Sequence, residues 1–291
     1  MPVSRPGPPE PRLSTVGSSV CTADWLALRE PADAAARSPA LAERLRRALS
    51  GANISSPAGP LIVHDLGCGT GSMGRWLAPR LAVPGTPRRQ HWLLHDRDAA
   101  TLARAATSLP GGVATSVRPG DLARLDLVRD GGPAVVVASA LLDVLTAPVA
   151  ARIAEQAVAA GAPTLLTLSV VGQVSFDPVH PLDAVLAAAF DAHQRRRGLL
   201  GPDAVAVTAR EFRRRGARTL TAASPWRLGP DRAELTAEWL RGWVGAACAQ
   251  LPRLTPRAAD HLGLRLDQLA AGRLRVTVGH ADLLAIPGEG T

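Results

Sequence analysis

The sequence predicts an α/β fold with a doubly wound, mostly parallel sheet of seven strands, and three observations support this prediction. The apolar run 61–66 leads into a glycine-rich turn, and residues 72–81 then have the pattern of a helix. Apolar runs and helical patterns continue to alternate up to about residue 170, as in βαβ units. A long apolar stretch at 274–286 provides one long closing strand or a strand pair. A helical cap before the first strand and a helical insertion before the last complete the predicted architecture.

Two sequence patterns predict the individual helices and strands. Short runs rich in Val, Leu and Ala predict strands buried on both faces, as parallel strands usually are. Apolar residues spaced three and four apart, as in 182–190, predict helices packed on the sheet. In chain order after the first helix, these patterns predict a strand at 90–96, a helix at 99–108, strands at 113–118 and 133–139, a helix at 150–160, a strand at 163–170, helices at 182–197 and 203–215, a strand at 218–223 and a helix at 233–250.

Composition divides the chain into three parts. Residues 1–18 are rich in Pro, Gly and Ser, which predicts a disordered tail. Residues 19–50 form the predicted helical cap, and residues 51–291 the main domain, in which 224–272 is a predicted lid insertion. Trp226, Trp239 and Trp243 of this insertion could line a pocket, but tryptophans four residues apart on a helix more often pack in a core.

The glycine turn that begins after Asp65 admits two interpretations. Gly69, Gly71 and Gly74 satisfy the pattern G-x-G-x-x-G, which holds a dinucleotide pyrophosphate at a helix N-terminus. A carboxylate at position 65 would repel a pyrophosphate, whereas it could accept hydrogen bonds from a cationic amino-acid ligand. The position of Asp65 therefore favours a ligand of the second kind.

A second acid follows at the end of the next predicted strand. Asp96 lies 22 positions after Gly74 (96 − 74), close to the spacing of about 20 at which an acid binds ribose hydroxyls. Asp98 is the fallback, although Asp before an Ala-rich run is typical of a helix N-cap. The sequence thus predicts that a nucleoside binds beside the glycine turn.

Asp65, Gly67, Gly69 and Gly71 match, position by position, motif I of the class I S-adenosylmethionine-dependent methyltransferases, which the segment resembles. The resemblance covers about residues 60–170. It implies a Rossmann-like sheet that closes with an antiparallel strand, and S-adenosyl-L-methionine as the cofactor. With a cap arginine added for the cofactor carboxylate, the expected cofactor-binding residues are Asp65, Gly67, Cys68, Gly69, Gly71, Asp96, Arg97, Asp121, Leu122, Ser139, Leu142 and Arg37.

Three further residues are candidates for catalysis. Asp143 follows the fourth strand, where it could orient a substrate or act as a base, or could simply be a polar residue at the junction. His180 and Asp177 follow the fifth strand and are candidate general bases, although a surface loop histidine is the plainer interpretation of His180. The implied reaction is direct in-line methyl transfer to an O or N atom of a small molecule.

Other functions stay open. An RNA methyltransferase shares this chemistry, but the Asn/Asp-Pro-Pro-aromatic motif of enzymes that methylate base amino groups is missing after the fourth strand, where residues 139–142 read Ser-Ala-Leu-Leu. A nicotinamide-dependent oxidoreductase would use the G-x-G-x-x-G pattern, and a catalytically silent cofactor-binding module would keep the fold alone. Each of these alternatives predicts a different ligand or product.

Composition and charge indicate which kinds of binding partner the protein is expected to have. The net charge of +8 and the pI of about 11.1 suit a nucleic-acid partner, but all 33 basic residues are Arg and Tyr is absent, a skew typical of GC-rich, actinobacterial-type coding. We therefore do not favour nucleic acid. The three cysteines are isolated, and we expect no metal site. Without a signal-peptide pattern or a long apolar stretch, we expect a cytoplasmic protein with no membrane partner; the sequence leaves the oligomeric state open.

Overall fold

The computed structural model describes residues 22–51, 59–82, 89–127 and 135–288. The predicted disordered tail at 1–18 lies outside the described residues, as does Cys21. Helices and strands follow in the order α1 (Ala23–Ala36), α2 (Pro39–Gly51), β1 (Leu61–Leu66), α3 (Ser72–Leu81), β2 (Gln90–Asp96), α4 (Ala99–Ser108), β3 (Val113–Pro119), β4 (Val135–Ser139), α5 (Ala147–Ala159), β5 (Thr164–Asp177), α6 (Leu182–Gln194), α7 (Ala204–Arg214), β6 (Arg218–Ala223), β7 (Trp226–Leu228), α8 (Ala233–Gln250), α9 (Thr255–Ala270) and β8 (Arg275–Ile286).

The sheet is parallel over its first five strands and closes antiparallel. Its strand order is β3-β2-β1-β4-β5-β8-β6, and the short β7 also pairs with β8. β8 runs antiparallel to both β5 and β6. The chain direction across the sheet reverses between β1 and β4, and such a switch point leaves a crevice at the carboxyl ends of the strands where ligands bind.

Helices cover both faces of the sheet. α2, α3 and α4 contribute to one core with the inner strands, and α5 and α7 contribute to another on the opposite face. A third core joins α1, α6, α8 and α9 to β7 and to the far ends of β5 and β8. α1 therefore packs against the helical insertion, while the next helix, α2, packs on the main sheet.

The predicted α/β fold with a mostly parallel sheet is confirmed. The described residues contain eight strands instead of seven, because the three-residue β7 is too short to give a periodic signal. β5 extends to Asp177 and not to about residue 170, since its second half alternates between buried and exposed side chains as it pairs with β8. No helix in the described ranges is both long enough and apolar enough to span a membrane.

Candidate functional site

The glycine turn after β1 adopts a backbone that side chains would obstruct. Gly67 and Gly71 have φ values of 61° and 89°, in the left-handed region that favours glycine. A Cβ at Gly67 would lie 2.8 Å from a methyl carbon of Leu141, and one at Gly71 would lie 2.7 Å from Ser108 Oγ. The turn therefore needs glycine for both conformation and space, and it leaves the backbone open to close approach by a ligand.

Asp65 is a buried carboxyl group with no hydrogen-bond partner. It is completely inaccessible to solvent, and neither carboxyl oxygen is hydrogen-bonded within the described part of the chain. Burial raises the pKa of Asp65 to about 8, and the nearby charge of Arg37 opposes this increase. A buried polar group without a partner is costly, so Asp65 is suited to a polar ligand in the crevice.

Arg37 reaches the same crevice from the segment between α1 and α2. Its Nη2 donates hydrogen bonds to Ser72 Oγ and to Ser139 Oγ, both at 3.0 Å. The side chain is 1% exposed, and its Nε and Nη1 atoms have no partner among the described residues. Desolvation lowers the pKa of Arg37, and neighbouring carboxyl groups counteract this effect. Arg37 thus keeps unused donors on two sides of its guanidinium group next to the glycine turn, and either of them can donate a charge-assisted hydrogen bond to a carboxylate ligand.

Two contacts hold the cap in this position. Arg75 of α3 binds Glu30 of α1 in a bidentate pair, with distances of 2.7 and 2.5 Å. The buried Asp282 of β8 accepts hydrogen bonds from Ser38 N at 2.7 Å and from Leu168 N at 2.8 Å. Because Ser38 follows Arg37 directly, the Asp282 contact fixes the backbone that carries the guanidinium.

Asp96 lies at the end of β2, across the turn from Arg37. Its Oδ2 accepts a hydrogen bond from Gly69 N, and its Oδ1 accepts one from Asp98 N, each at 3.0 Å. Each oxygen retains a second lone pair, and the residue is partly exposed, so Asp96 can still accept from a ligand. Asp98 is the N-cap of α4, as its position in the sequence suggests, and Arg97 is exposed between these two acids.

The predicted adenine-side residues follow β3. Gly120 N donates to Asp96 O at 3.0 Å, which brings the ends of β2 and β3 together. Asp121 caps a short 3-10 turn by accepting from Ala123 N at 2.9 Å, and its neighbour Leu122 is partly buried. Asp121 can therefore cap this turn and also lie at the edge of the crevice.

Two of the expected cofactor-binding residues, Leu142 and Cys68, are buried. Leu142 is 1% exposed and packs in the core shared with α5 and α7, whereas its neighbour Leu141 lies against the glycine turn. Cys68 is buried, and its Sγ is 3.5 Å from Gly69 O. Burial raises the pKa of the Cys68 thiol far above its usual range. Cys68 is thus a packing residue within the turn.

Asp143 lies beside the crevice, in the 3-10 turn that follows β4. Its Oδ1 is buried without a partner in the described chain, and burial raises the pKa of this carboxyl group, an effect that the charge of Arg29 opposes. Arg29 itself pairs with Asp33 at 2.9 Å and lies 4.8 Å from the ring centroid of Trp226. The charges of Asp143 and Arg29 are thus close enough to interact, and both groups lie on the α1 side of the turn after β4.

His180 and Asp177 lie at the far end of the β5–β8 extension. Asp177 pairs with Arg275, whereas Leu283, eight residues along β8, pairs with Leu166 near the end of β4. Eight residues of strand span roughly 26 Å. This separation from the Asp65 crevice gives the predicted catalytic role of His180 and Asp177 no support.

The three tryptophans of the insertion are buried. Trp226, Trp239 and Trp243 are 3%, 7% and 1% exposed, and the rings of the last two stack with centroids 5.5 Å apart. They belong to the core that joins the insertion to α1 and α6. The geometry therefore agrees with core packing and not with an aromatic pocket.

Comparison with known proteins identifies the fold. No model of a protein family and no curated protein matches the chain. Among solved structures, loganic acid methyltransferase with SAH aligns at a TM-score of 0.52 and 11% identity, over 90% of this chain and 94% of that one. The chain has the Rossmann-like methyltransferase fold. In this fold Asp65 and Asp96 lie at the carboxyl ends of β1 and β2, and Arg37 binds Ser139 at the carboxyl end of β4.

Two other structures align less well to this Rossmann-like methyltransferase fold. A cyclopropane synthase from Mycobacterium tuberculosis is 15% identical over 83% of this chain and 82% of its own, with a TM-score of 0.42. Magnesium protoporphyrin IX methyltransferase from Synechocystis, with bound SAH, is 16% identical over 64% of this chain and 75% of its own, with a TM-score of 0.39. At these values they do not add to the assignment of the fold.

Proposed function

We propose that this chain is an S-adenosyl-L-methionine-dependent methyltransferase that acts on a small molecule. The observation that carries the proposal is the pair of buried, incompletely bonded groups beside the glycine turn, the Arg37 guanidinium and the Asp65 carboxyl. The methionine part of the cofactor carries a carboxylate and an ammonium group, which complement these two side chains. The fold shared with loganic acid methyltransferase, which was solved with SAH, is consistent with this cofactor.

Each side chain of the crevice has a role in this proposal. Arg37 donates a charge-assisted hydrogen bond to the carboxylate through one of its two unused donors, Nε or Nη1, and Asp65 accepts a hydrogen bond from the ammonium group once it is ionised. The backbone of the glycine turn lies against the cofactor, and Asp96 accepts hydrogen bonds from the ribose hydroxyls. Asp121 and Leu122 flank the adenine. When bound, the cofactor supplies a methyl group on a sulfonium, which is already activated for transfer.

The acceptor binds on the side of Asp143 and Arg29. Methyl transfer needs chiefly alignment of the acceptor atom and exclusion of water, and α1 and the insertion can provide both. The buried Oδ1 of Asp143 can orient an O or N acceptor, or take its proton as the methyl group arrives. We assign no direct catalytic role to His180 or Asp177.

A nicotinamide dinucleotide fits these residues less well. The G-x-G-x-x-G pattern would place a pyrophosphate at the glycine turn, near the carboxyl group of Asp65, and ionisation of that group would repel it. The residues around the turn therefore favour an amino-acid ligand over a dinucleotide.

The test is transfer of a labelled methyl group. The full-length chain is incubated with methyl-labelled S-adenosyl-L-methionine and a cell extract, which is then separated into small-molecule and RNA fractions. We expect label in the small-molecule fraction, and a marked loss of labelling with Asp143→Asn at unchanged cofactor affinity. Label in the RNA fraction would show that the acceptor is RNA and not a small molecule. The absence of label from both fractions would contradict the proposed activity.

A further inference from the structure

A second group of chemically active side chains lies outside the crevice, between the start of α6 and the helix α9. His180, Asp183 and His261 each offer one ligand atom, and these atoms all lie within 4.8 Å of one another. His180 and His261 have ring centroids 4.8 Å apart. Two imidazoles and one carboxylate form a donor set that suits divalent first-row transition metals.

Asp183 and His261 are separated by a distance that suits both an ion pair and two ligands of one ion. Asp183 Oδ1 lies 3.1 Å from His261 Nε2, yet neither nitrogen of His261 has a hydrogen-bond partner in the described chain, although the residue is 2% exposed. Ligands held 2.0–2.1 Å from a tetrahedral ion stand roughly 3.4 Å apart. An ion between these atoms would therefore satisfy a buried imidazole with little movement.

The hydrogen bonds of His180 and Asp183 leave one ligand atom of each residue available to an ion. His180 Nδ1 accepts a hydrogen bond from Leu182 N at 3.1 Å, so its Nε2 is the nitrogen available to an ion. Asp183 Oδ2 accepts from Arg265 and from His180 N, whereas Oδ1 accepts only from Arg265 and keeps a lone pair. Hydrogen bonds of this kind commonly orient the carboxylate of a metal site.

The group also opens to solvent on one side. A pocket of about 250 Å³ is lined by His180 and His261 together with Asp260 and Arg257. The pocket admits an ion, and Asp260 or water can complete its coordination. Arg257 and Arg265 add two positive charges nearby, which Asp183 and Asp260 balance, so the affinity will be lower than that of a site with an excess of carboxylates.

We infer that His180, Asp183 and His261 form a binding site for a divalent transition-metal ion of the Zn²⁺ or Co²⁺ type. The ion joins the loop before α6 to α9 and so stabilises the helical insertion. Binding requires His180 to approach the other two ligands by up to about 1.4 Å, from 4.8 Å to roughly 3.4 Å, which a rotation of this partly exposed side chain can provide. The sequence contains no hint of the site, because His180 and His261 are 81 residues apart.

The test uses Co²⁺, whose visible absorption reports nitrogen and oxygen coordination. The chelator-treated full-length chain is titrated with Co²⁺, and the absorbance and the thermal midpoint are followed. We expect saturation at one ion per chain and a higher thermal midpoint, because a ligand that binds only the folded state stabilises it. His180→Ala should weaken binding at least tenfold, while the matched control His91→Ala, on β2, should bind as the unchanged chain does.

A second variant covers the buried ligand. His261→Gln tests the same site, and circular dichroism establishes that each variant is folded; His180→Ala removes only a partly exposed side chain, so its effect does not depend on folding of the second variant. A chain that shows no saturable absorption with Co²⁺ would overturn the inference. Equal affinity in the unchanged chain and in His180→Ala would overturn it as well, and would leave the three residues as an ion-pair network around Arg265.

Discussion

Replacing Arg37 by Met tests the most specific feature of the crevice. The substitution keeps an unbranched apolar stem beside Trp76, whose ring lies 5.6 Å from the guanidinium carbon, but removes the Nε and Nη1 donors. Removing one partner of a buried, hydrogen-bonded charge pair costs about 2 to 5 kcal/mol. At about 1.4 kcal/mol per factor of ten, the Kd for SAH should rise roughly 30-fold to several thousand-fold.

Isothermal titration with SAH measures this change, and two further variants control for it. Arg37→Lys retains the positive charge and loses the rigid guanidinium that also binds Ser72 and Ser139, so its Kd should lie between those of the unchanged chain and Arg37→Met. Arg47→Met removes an exposed arginine of the same cap, which pairs only with Glu43 among the described contacts, and should leave the Kd unchanged. If Arg37→Met binds SAH within twofold of the unchanged chain, the assignment of Arg37 to the cofactor carboxylate is refuted.

Three further predictions concern the same crevice. Asp96→Ala should weaken SAH binding by about 1 to 3 kcal/mol in titration calorimetry, because the ribose hydroxyls lose a buried acceptor; an unchanged Kd would contradict this role. Asp65 has a pKa of about 8 in the ligand-free chain, so it is mostly protonated at pH 6.5 and should release close to one proton when it meets the ammonium group. Calorimetry in buffers of different ionisation enthalpy measures that release, and Asp65→Asn should abolish it. Gly67→Ala should prevent SAH binding, because its φ is 61° and its Cβ would meet Leu141; equal affinity would show that the turn tolerates a side chain.

The stability of the ligand-free chain should also depend on Asp65. The unfolded carboxyl group has a pKa near 3.8 and the folded one a pKa of about 8, so the unfolded state binds fewer protons between these values. The contribution of Asp65 to stability is therefore fully present below pH 4 and is lost as the pH rises through 8. Thermal unfolding is measured for the unchanged chain and for Asp65→Asn at pH 6 and pH 8.5. The stability of the variant relative to the unchanged chain should be greater at pH 8.5 than at pH 6. The same relative stability at both pH values would contradict the raised pKa of Asp65.

Local patterns were enough to predict the part of the site that lies on the parallel strands. Asp65 and Asp96 end two predicted strands, and the carboxyl ends of neighbouring parallel strands meet at one edge of the sheet. The structure brings both acids to the glycine turn. The sequence also predicts the Trp-containing helix 233–250 with the bounds that the structure has.

The rest of the candidate site depends on contacts between segments that are distant in the sequence. Glu30 binds Arg75 of α3, and Asp282 joins Ser38 to the β5 bulge at Leu168; no local spacing marks such pairs. Leu141 and Leu142 are adjacent and equally apolar, and only the 3-10 turn after β4 decides which of them faces the crevice. Their roles could not be separated before the backbone was known.

The length of β5 explains why His180 and Asp177 lie far from the crevice. The sequence predicts that the strand before them ends at about residue 170. The alternating residues after Gly172 instead extend β5 along β8, because the pairing satisfies backbone groups that a loop would leave unpaired. A polar residue after a predicted strand is near the site only if the strand ends at the edge of the sheet.

The central claim is that the crevice binds the amino-acid end of S-adenosyl-L-methionine, and parallel calorimetric titrations with SAH and with NAD test it most directly. The full-length chain is titrated with each ligand under the same conditions, in the unchanged form and as Arg37→Met. The account predicts that SAH binds the unchanged chain, that NAD does not, and that Arg37→Met loses most of the SAH affinity. Binding of NAD in preference to SAH would contradict it.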